Sequence, residues 1–294
     1  MNLSNEAISA TLEEAVAILK EKASNRGDLP YASVRRQHEL IDQLSEFELG
    51  RFFLMHQGGL SGRWTHYVLT QRQSDHPIEH FLLNRAPVVK ATQQRFQIFQ
   101  QIIQAQIQDG VSFASIPSGF MGDLLLLDYR RAERFELAGI DLDPESLEGA
   151  KALAKERGLE AHVRLFLKDA WNLGVSGQYD LIASNGLNIY EPSEERTIAL
   201  YRQFLGALKP GGLLVTSFLT PPPGQNHRCE WDMKKISMED LFLQKIISAD
   251  ILESRWRCFQ TREQMENVLR SAGYSEIEVI YDEARIFPTM TARR

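Results

Sequence analysis

The turn ASIPSGFMGDLL, Ala114 to Leu125, follows an apolar run and sets a proline and two glycines ahead of a new helix start. In an open α/β sheet a ligand sits beyond the carboxyl ends of the strands, where the first strand turns into its helix. Gly119 and Gly122 let the backbone approach a ligand, and the N–H groups of the following helix can face an anion such as a carboxylate. Plain packing of a strand end accounts for the same residues. Pro117 stiffens the turn and removes one donor. The spacing is not G-x-G-x-x-G, which disfavours a loop for a dinucleotide pyrophosphate. Asp141 closes the run ELAGID about 20 residues further on, the position from which an acid accepts both hydroxyls of a ribose. Asp143 reads as the cap of a helix opened by Pro144, and capping leaves Asp141 unexplained. Asp169, in VRLFLKDAWNL, can accept the exocyclic amine of adenine while Leu142, Ala170 and Trp171 offer apolar faces to the purine. A turn-forming aspartate is the alternative there. The fourth run ends on Ser184-Asn185-Gly186, facing the place where a reacting group would lie.

Other segments hold reactive side chains without a complete constellation. HQGGLSGRWTHYVL, residues 56–69, reads either as a lid hinged on glycines or as a surface loop. As a lid, Arg63 would bind a carboxylate bidentately and Trp64 with Tyr67 would cover a planar group; as a loop, both aromatics would pack on the core. His66 is a candidate base. Asn185, Asn188 and Tyr190 are close enough in sequence to line an acceptor pocket, and structural hydrogen bonding explains them equally well. His76 and His80 stand at i, i+4 in HPIEH, metal-ligand spacing on a helix, but no third ligand is suitably placed, so no metal is expected.

These residues need a sheet to position them, and from Gly110 onward short apolar runs alternate with helical stretches, the signature of βαβ units. Strands are predicted near 111–116, 136–141, 163–167, 179–184 and 212–218, with helices near 119–131, 144–157 and 193–208. A proline-rich loop, a helical insert at about 220–258 and a helix at 261–272 follow. Two alternating runs joined by a charged turn close the chain as an antiparallel pair. Ahead of the sheet lie helices at 6–24, from Ser33 to the Gly58-Gly59 break, and at 87–108, the last with a glutamine-rich face that solvent alone would explain. Domains are therefore 1–108, a helical cap, and 109–294, the α/β unit. The 294 residues, 43% hydrophobic, suffice for a sizeable core, and a net charge of −6 argues against nucleic acid or an anionic membrane as partner. Two cysteines, with no signal peptide or long apolar run, read as a reduced cytoplasmic protein.

From about residue 108 to 292 the order and spacing of GIDLDPESL, KDAWNL, YDLIASNGLNIY and LKPGGLLVTSF resemble the class I S-adenosylmethionine-dependent methyltransferases. The resemblance implies a Rossmann-like, mostly parallel seven-stranded sheet with a terminal antiparallel hairpin, Asp141 on the ribose and Asp169 near the adenine. It implies S-adenosylmethionine as cofactor and S-adenosylhomocysteine as product. The family's loop is an acid followed by glycines at alternating positions. Here Ser115 stands in the acid's place, Pro117 in the first glycine's and Met121 in the third's; Gly119 alone matches. Ser115, Pro117, Gly119, Asp141, Leu142, Asp169, Ala170, Trp171, Asn185 and Arg63 are thus the expected cofactor-binding residues.

Methyl transfer from a sulfonium is an in-line displacement that gains most from alignment and dryness, so a base is optional. His66, Asn185 and Tyr190 are the catalytic candidates. The activity expected is methyl transfer to a small molecule in a pocket covered by the N-terminal helices, with a homodimer left open. The rivals are an inactive cofactor-binding protein, for which the altered loop is the motive, and a protein or RNA methyltransferase; the missing basic face counts against RNA.

Overall fold

The computed structural model describes residues 11–56, 59–224, 229–254 and 258–294. The start of the first predicted helix, Gln57-Gly58, and residues 225–228 of the proline-rich loop lie outside them. Seven strands form one sheet: β1 Val111–Ser115, β2 Phe135–Asp141, β3 Val163–Leu167, β4 Tyr179–Ser184, β5 Leu208–Ser217, β6 Ser275–Ile280 and β7 Thr289–Arg293. Their order is β3-β2-β1-β4-β5-β7-β6, parallel through β5 and antiparallel in β7 and β6. The order reverses between β1 and β4, where a ligand crevice opens beyond the strand ends.

Alternate residues of the central strands feed two cores. Ala114, Ile140, Ile182 and Leu214 face α9 (Glu194–Ala207) and α11 (Arg262–Ala272) through Tyr201, Phe204 and Leu269. Phe113, Leu137, Leu181 and Val215 face the other way, onto α8 (Pro144–Glu156) and the end of α6 (Pro87–Gln104) through Leu153, Phe99 and Ile103. Helix α6 thereby ties the N-terminal helices to the sheet.

The helices ahead of it are α1 Leu12–Arg26, α2 Val34–Leu44, α3 Glu48–Met55, α4 Gly62–Thr70 and α5 Pro77–Asn84. The block read as one helix after Ser33 is α2 and α3, because the chain folds back at Ser45–Phe47. Glycine permits the corner: a Cβ on Gly50 would lie 2.1 Å from the Leu44 carbonyl oxygen. The glutamine face of α6 is not merely solvated either. Gln93 is buried and its Nε2 donates to the Val68 and Leu83 carbonyls at 3.0 and 2.8 Å, joining the ends of α4 and α5 to α6. The insert supplies α10 (Met238–Lys245) and a π-helical turn whose Ile246, Ile247 and Ile251 pack among Leu40, Ile41 and Leu44, so the cap is built from two chain segments. The helix expected at 119–131 shrinks to the single turn of α7, Gly122–Leu125, which the Tyr129 hydroxyl closes by donating to the Leu124 carbonyl at 3.0 Å. Among the described residues no helix is long and apolar enough to cross a membrane.

Replacing Gly50 with alanine drives a methyl into backbone rather than into a side chain that could move. Gly50→Ala is expected to lower stability by about 2–3 kcal/mol in urea melts; a change within about 0.5 kcal/mol would show that the corner tolerates the group.

Candidate functional site

Beyond β1 the chain stays tied to both neighbouring strands: the Ile116 N–H donates to the Ala183 carbonyl and the Ser118 N–H to the Ile140 carbonyl, each at 2.9 Å. The Ile116–Pro117 peptide between them is cis. Gly119, at φ +47°, then turns its N–H onto Asp141 Oδ2 at 2.8 Å, while Asp141 Oδ1 accepts from the Asp143 N–H at 3.0 Å. The same carboxylate thus sets the loop and the entry to α8, whose first turn Asp143 caps by accepting from Glu145 and Ser146. Burial raises the Asp141 pKa against those hydrogen bonds.

Two departures from the family's loop pattern have local counterparts in space. Met121 sits at φ 55°, a left-handed conformation that favours glycine, and its side chain runs over Gly139 of β2. A Cβ on Gly139 would meet the Met121 sulfur at 2.5 Å, so the glycine missing from the loop is answered by one beneath it. Ser115 has no charge of its own, but its Oγ donates to Asp123, 3.0 and 2.9 Å from the two carboxylate oxygens. The acid comes from α7 instead of from the strand. Burial pushes Asp123 up to about 6, against the hydrogen bonds from Ser115 and its own helix turn.

Helix α4 covers this loop. A Cβ on Gly62 would stand 3.1 Å from Gly119 Cα and 2.2 Å from Ser146 Oγ, so only glycine lets the helix start come so close. The Phe120 ring lies against Gly149 of α8 and stacks on His66, 5.4 Å between centroids. The segment read as a glycine-hinged lid is therefore helical from Gly62, with its glycines serving close approach. Trp64 packs in the cap against Phe52 and also reaches the cavity wall, whereas Tyr67 meets the Trp64 ring edge-on and donates its hydroxyl to Glu79 at 3.0 Å, off the wall.

Between the cap and the strand ends lies a cavity of about 800 Å³. Ser115, Pro117, Gly119, Asp141, Leu142, Asp169, Ala170, Trp171 and Asn185 all reach its wall, as do His66, Tyr190 and Arg63. Leu142 is 57% exposed, an apolar side chain open to that space. Asp169 Oδ1 accepts from the Trp171 N–H at 2.9 Å, and the indole N–H donates to the Arg196 carbonyl at 2.9 Å, which holds Trp171 in place. Asn185 turns a buried Oδ1 that has no partner among the described residues. Asn188 belongs elsewhere, its amide facing Gln260 and the Met265 sulfur. Arg63 is at the rim, 3.5 Å from Glu48 and 5.1 Å above the Trp64 ring, so it is already engaged. His66 is lowered by burial, opposed by the charge of Glu156, and stays neutral at pH 7. His76 stands just ahead of α5, at its N-cap position without a side-chain capping bond, and its ring meets Glu46 at 3.1 Å, which takes it off the helical face of His80.

Sequence reasoning missed Asp123, Arg95 and Phe120, all on the cavity wall. Asp123 is a lone charge inside MGDLLLL. Arg95 falls in the buried row Ala91, Arg95, Phe99, Ile103 of α6, and a charge on an apolar stripe was the available signal.

A cradle at Gly119 beside two desolvated carboxylates, with apolar faces at Leu142 and Ala170, fits a cationic nucleoside of the size of S-adenosylmethionine. Comparison with known proteins agrees. Residues 121–212 match the family described as a methyltransferase domain. A possible exported protein from Bordetella parapertussis is similar over 96% of this chain and 95% of its own, with 42% identity and a TM-score of 0.92. The apo S-adenosylmethionine-dependent methyltransferase SibL aligns over 96% and 70% of the two chains at 14% identity and a TM-score of 0.54. The pyocyanin biosynthetic protein PhzM aligns over 83% and 64% at 16% and 0.51. The last two likenesses are of fold. No curated protein matches.

The Asp123 carboxyl titrates from about 6 in the fold against an ordinary 3.8. Its pKa is raised, so the native state binds more protons across that window and stability falls as pH rises through it. Asp123→Asn keeps an acceptor for Ser115 without the charge. Relative to wild type the variant is expected to gain about 2–3 kcal/mol between pH 4 and pH 7 in denaturant melts; an equal difference at both pH values would contradict a desolvated carboxylate.

Proposed function

We propose that the chain, whose residues 121–212 match a methyltransferase domain, is a class I S-adenosylmethionine-dependent methyltransferase and that it methylates a small molecule enclosed between the strand ends and the helical cap. The observation that carries this reading is the shared cavity: one wall is the loop and strand ends, the other is α4 and α6, with Val88, Val89 and Phe96 facing in. A space roofed by helices suits a small acceptor better than a folded macromolecule.

When bound, S-adenosylmethionine supplies a methyl carbon on a cationic sulfur, which leaves with the electrons of the broken bond. In this reading Asp141 holds the ribose hydroxyls and Leu142, Ala170 and Trp171 flank the adenine, with Asp169 on its amine. Asp123 faces the ammonium of the methionine part, which restores a charged partner to a carboxylate that burial has raised. Asn185, with its unpartnered oxygen, orients the reacting end. His66 is the acceptor's base: it is neutral, its ring makes no hydrogen bond among the described residues, and it takes the proton that the acceptor loses as the new bond to carbon forms. Alignment in a water-poor space supplies the larger part of the rate. Cys229 and Cys258 are free thiols, which supports a reducing, cytoplasmic setting.

Calorimetric titration with S-adenosylmethionine and S-adenosylhomocysteine tests the site. Asp141→Ala is expected to weaken both, and 5′-methylthioadenosine equally, by about 1–3 kcal/mol; undiminished affinity in a folded variant removes Asp141 from the ribose. With an acceptor in hand, the wild-type rate is expected to fall as pH drops through the lowered pKa of His66, below the ordinary 6.5. A His66→Gln variant should be slower by about 10²–10⁴-fold and lose that pH limb. Tight cofactor binding with no transfer to any acceptor would favour an inactive binding protein.

A further inference from the structure

At the end of the cavity away from Asp141 stands a cation without a counter-ion among the described residues. Arg95 is 4% exposed, and its guanidinium carbon lies 3.7 Å from the Phe287 ring centroid. Its Nε is buried and has no hydrogen-bond partner among the described residues. No carboxylate among the described residues makes an ion pair with it. Of the groups whose charge raises it, Tyr190 and then Asp282, the carboxylate Asp282 is spent on its own turn: it accepts from the N–H groups of Ala284, Ile286 and Phe287 at 3.2, 3.1 and 2.7 Å. That turn fixes Phe287 under the guanidinium. Burial lowers the Arg95 pKa to about 9, so the group is still protonated at neutral pH. A desolvated, unpaired charge is unfavourable in a finished structure, and stacking on one aromatic ring offsets it only in part.

We propose that Arg95 is the anion-binding residue of the acceptor subsite, and that the acceptor is a small molecule with an apolar body and a carboxylate. The proposal rests on the methyl-transfer reading above. A guanidinium presents a planar fork that matches a carboxylate in two parallel hydrogen bonds. A phosphate would call for further cations, and the cavity has none to spare at this end: His66 is neutral and Arg63 is engaged at the rim with Glu48. Around Phe287, on which Arg95 stacks, the wall is Val88, Ile189 and Leu219, which pack with that ring in one cluster and define the apolar body.

The cofactor's own carboxylate is the competing source of the same chemistry, and position argues against it. Arg95 faces Gly186 after β4 and Phe287 before β7, and Leu219 after β5 packs in one cluster with Phe287. Asp141 ends β2, three strands away from β5 in the sheet order and therefore about 14 Å across it. On the methyl-transfer reading Asp141 would hold the nucleoside on the β2 side and Asp123 the ammonium on the β1 side, which would leave the β5 side to the acceptor.

The full chain, saturated with S-adenosylhomocysteine, is melted with acetate, benzoate and octanoate and with their neutral amides. Benzoate or octanoate is expected to raise the melting temperature by several degrees more than its amide, and Arg95→Met to abolish that difference. Arg95→Lys, which keeps the charge but not the fork, is expected to weaken the carboxylate effect by about ten-fold in concentration and carries the test if the methionine variant does not fold. Affinity for S-adenosylhomocysteine should stay within about two-fold in either variant. The proposal is overturned if no carboxylate outperforms its amide, or if Arg95→Met leaves the preference intact. It is also overturned if the variants lose S-adenosylhomocysteine while keeping 5′-methylthioadenosine, which would assign Arg95 to the cofactor's carboxylate. Failure of the wild type to bind S-adenosylhomocysteine at all would instead strike the methyltransferase reading.

Discussion

The bond from the Gly119 N–H to the Asp141 carboxylate is the constraint on which the cavity depends. It joins the end of β2 to the loop after β1, and the second oxygen of the same carboxylate joins both to the entry of α8 through Asp143. Gly119 can take part because its φ is positive and because Gly62, facing it, has no side chain. The helical cap is therefore seated on the loop with nothing between them. Three elements far apart in sequence meet at two glycines and one aspartate, and any displacement of one is felt by the others, since the contacts leave no slack.

The electrostatics of the cavity run along the sheet. Asp169, Asp141 and Asp123 occupy the β3, β2 and β1 side, while Arg95 stands over β4, β5 and the turn into β7. Burial raises the pKa of Asp123 and Asp141 and lowers that of Arg95 and His66, in each case against the charged form. Charges held this way are high in energy until they meet a complement. On the proposed reading a cation at the acidic end and an anion at the basic end would relieve both. Net charge alone, −6 for the chain, hides this division because it sums over a surface that the ligands never touch.

The sheet was legible because period-2 apolar runs and short connections leave few topologies. Even the antiparallel end could be read from two alternating runs around one charged turn. Where reading failed, tertiary contacts had overruled local pattern. The apolar stretch after Gly122 satisfies a helical period for several turns but forms one, since Asp123 is drawn inward to Ser115 and Tyr129 closes the turn. Gln93 looks like surface on α6 until α4 and α5 bring their last carbonyls to it. Glycines at 59 and 62 suggest a hinge in sequence, yet their partners, Tyr190 and Gly119, are more than fifty residues away and invisible in a local window.

The altered loop shows why a motif can be lost in sequence and kept in space. The family's pattern places an acid on the strand and small residues along the turn, and this chain has serine, proline and methionine in three of those places. What a ligand in this loop would need, however, is a carboxylate, a backbone N–H orientation and a free volume. Asp123 supplies the first from the next helix, held by Ser115. Ser118 and Gly119 keep the second through the Ile140 carbonyl and Asp141. Gly139 supplies the third from below, by making room for the Met121 side chain so that it is drawn away from the cavity. Each exchange moves a requirement from one residue to a spatial neighbour on a different element. A linear pattern cannot follow such a move, but a question about where the charge and the space come from can.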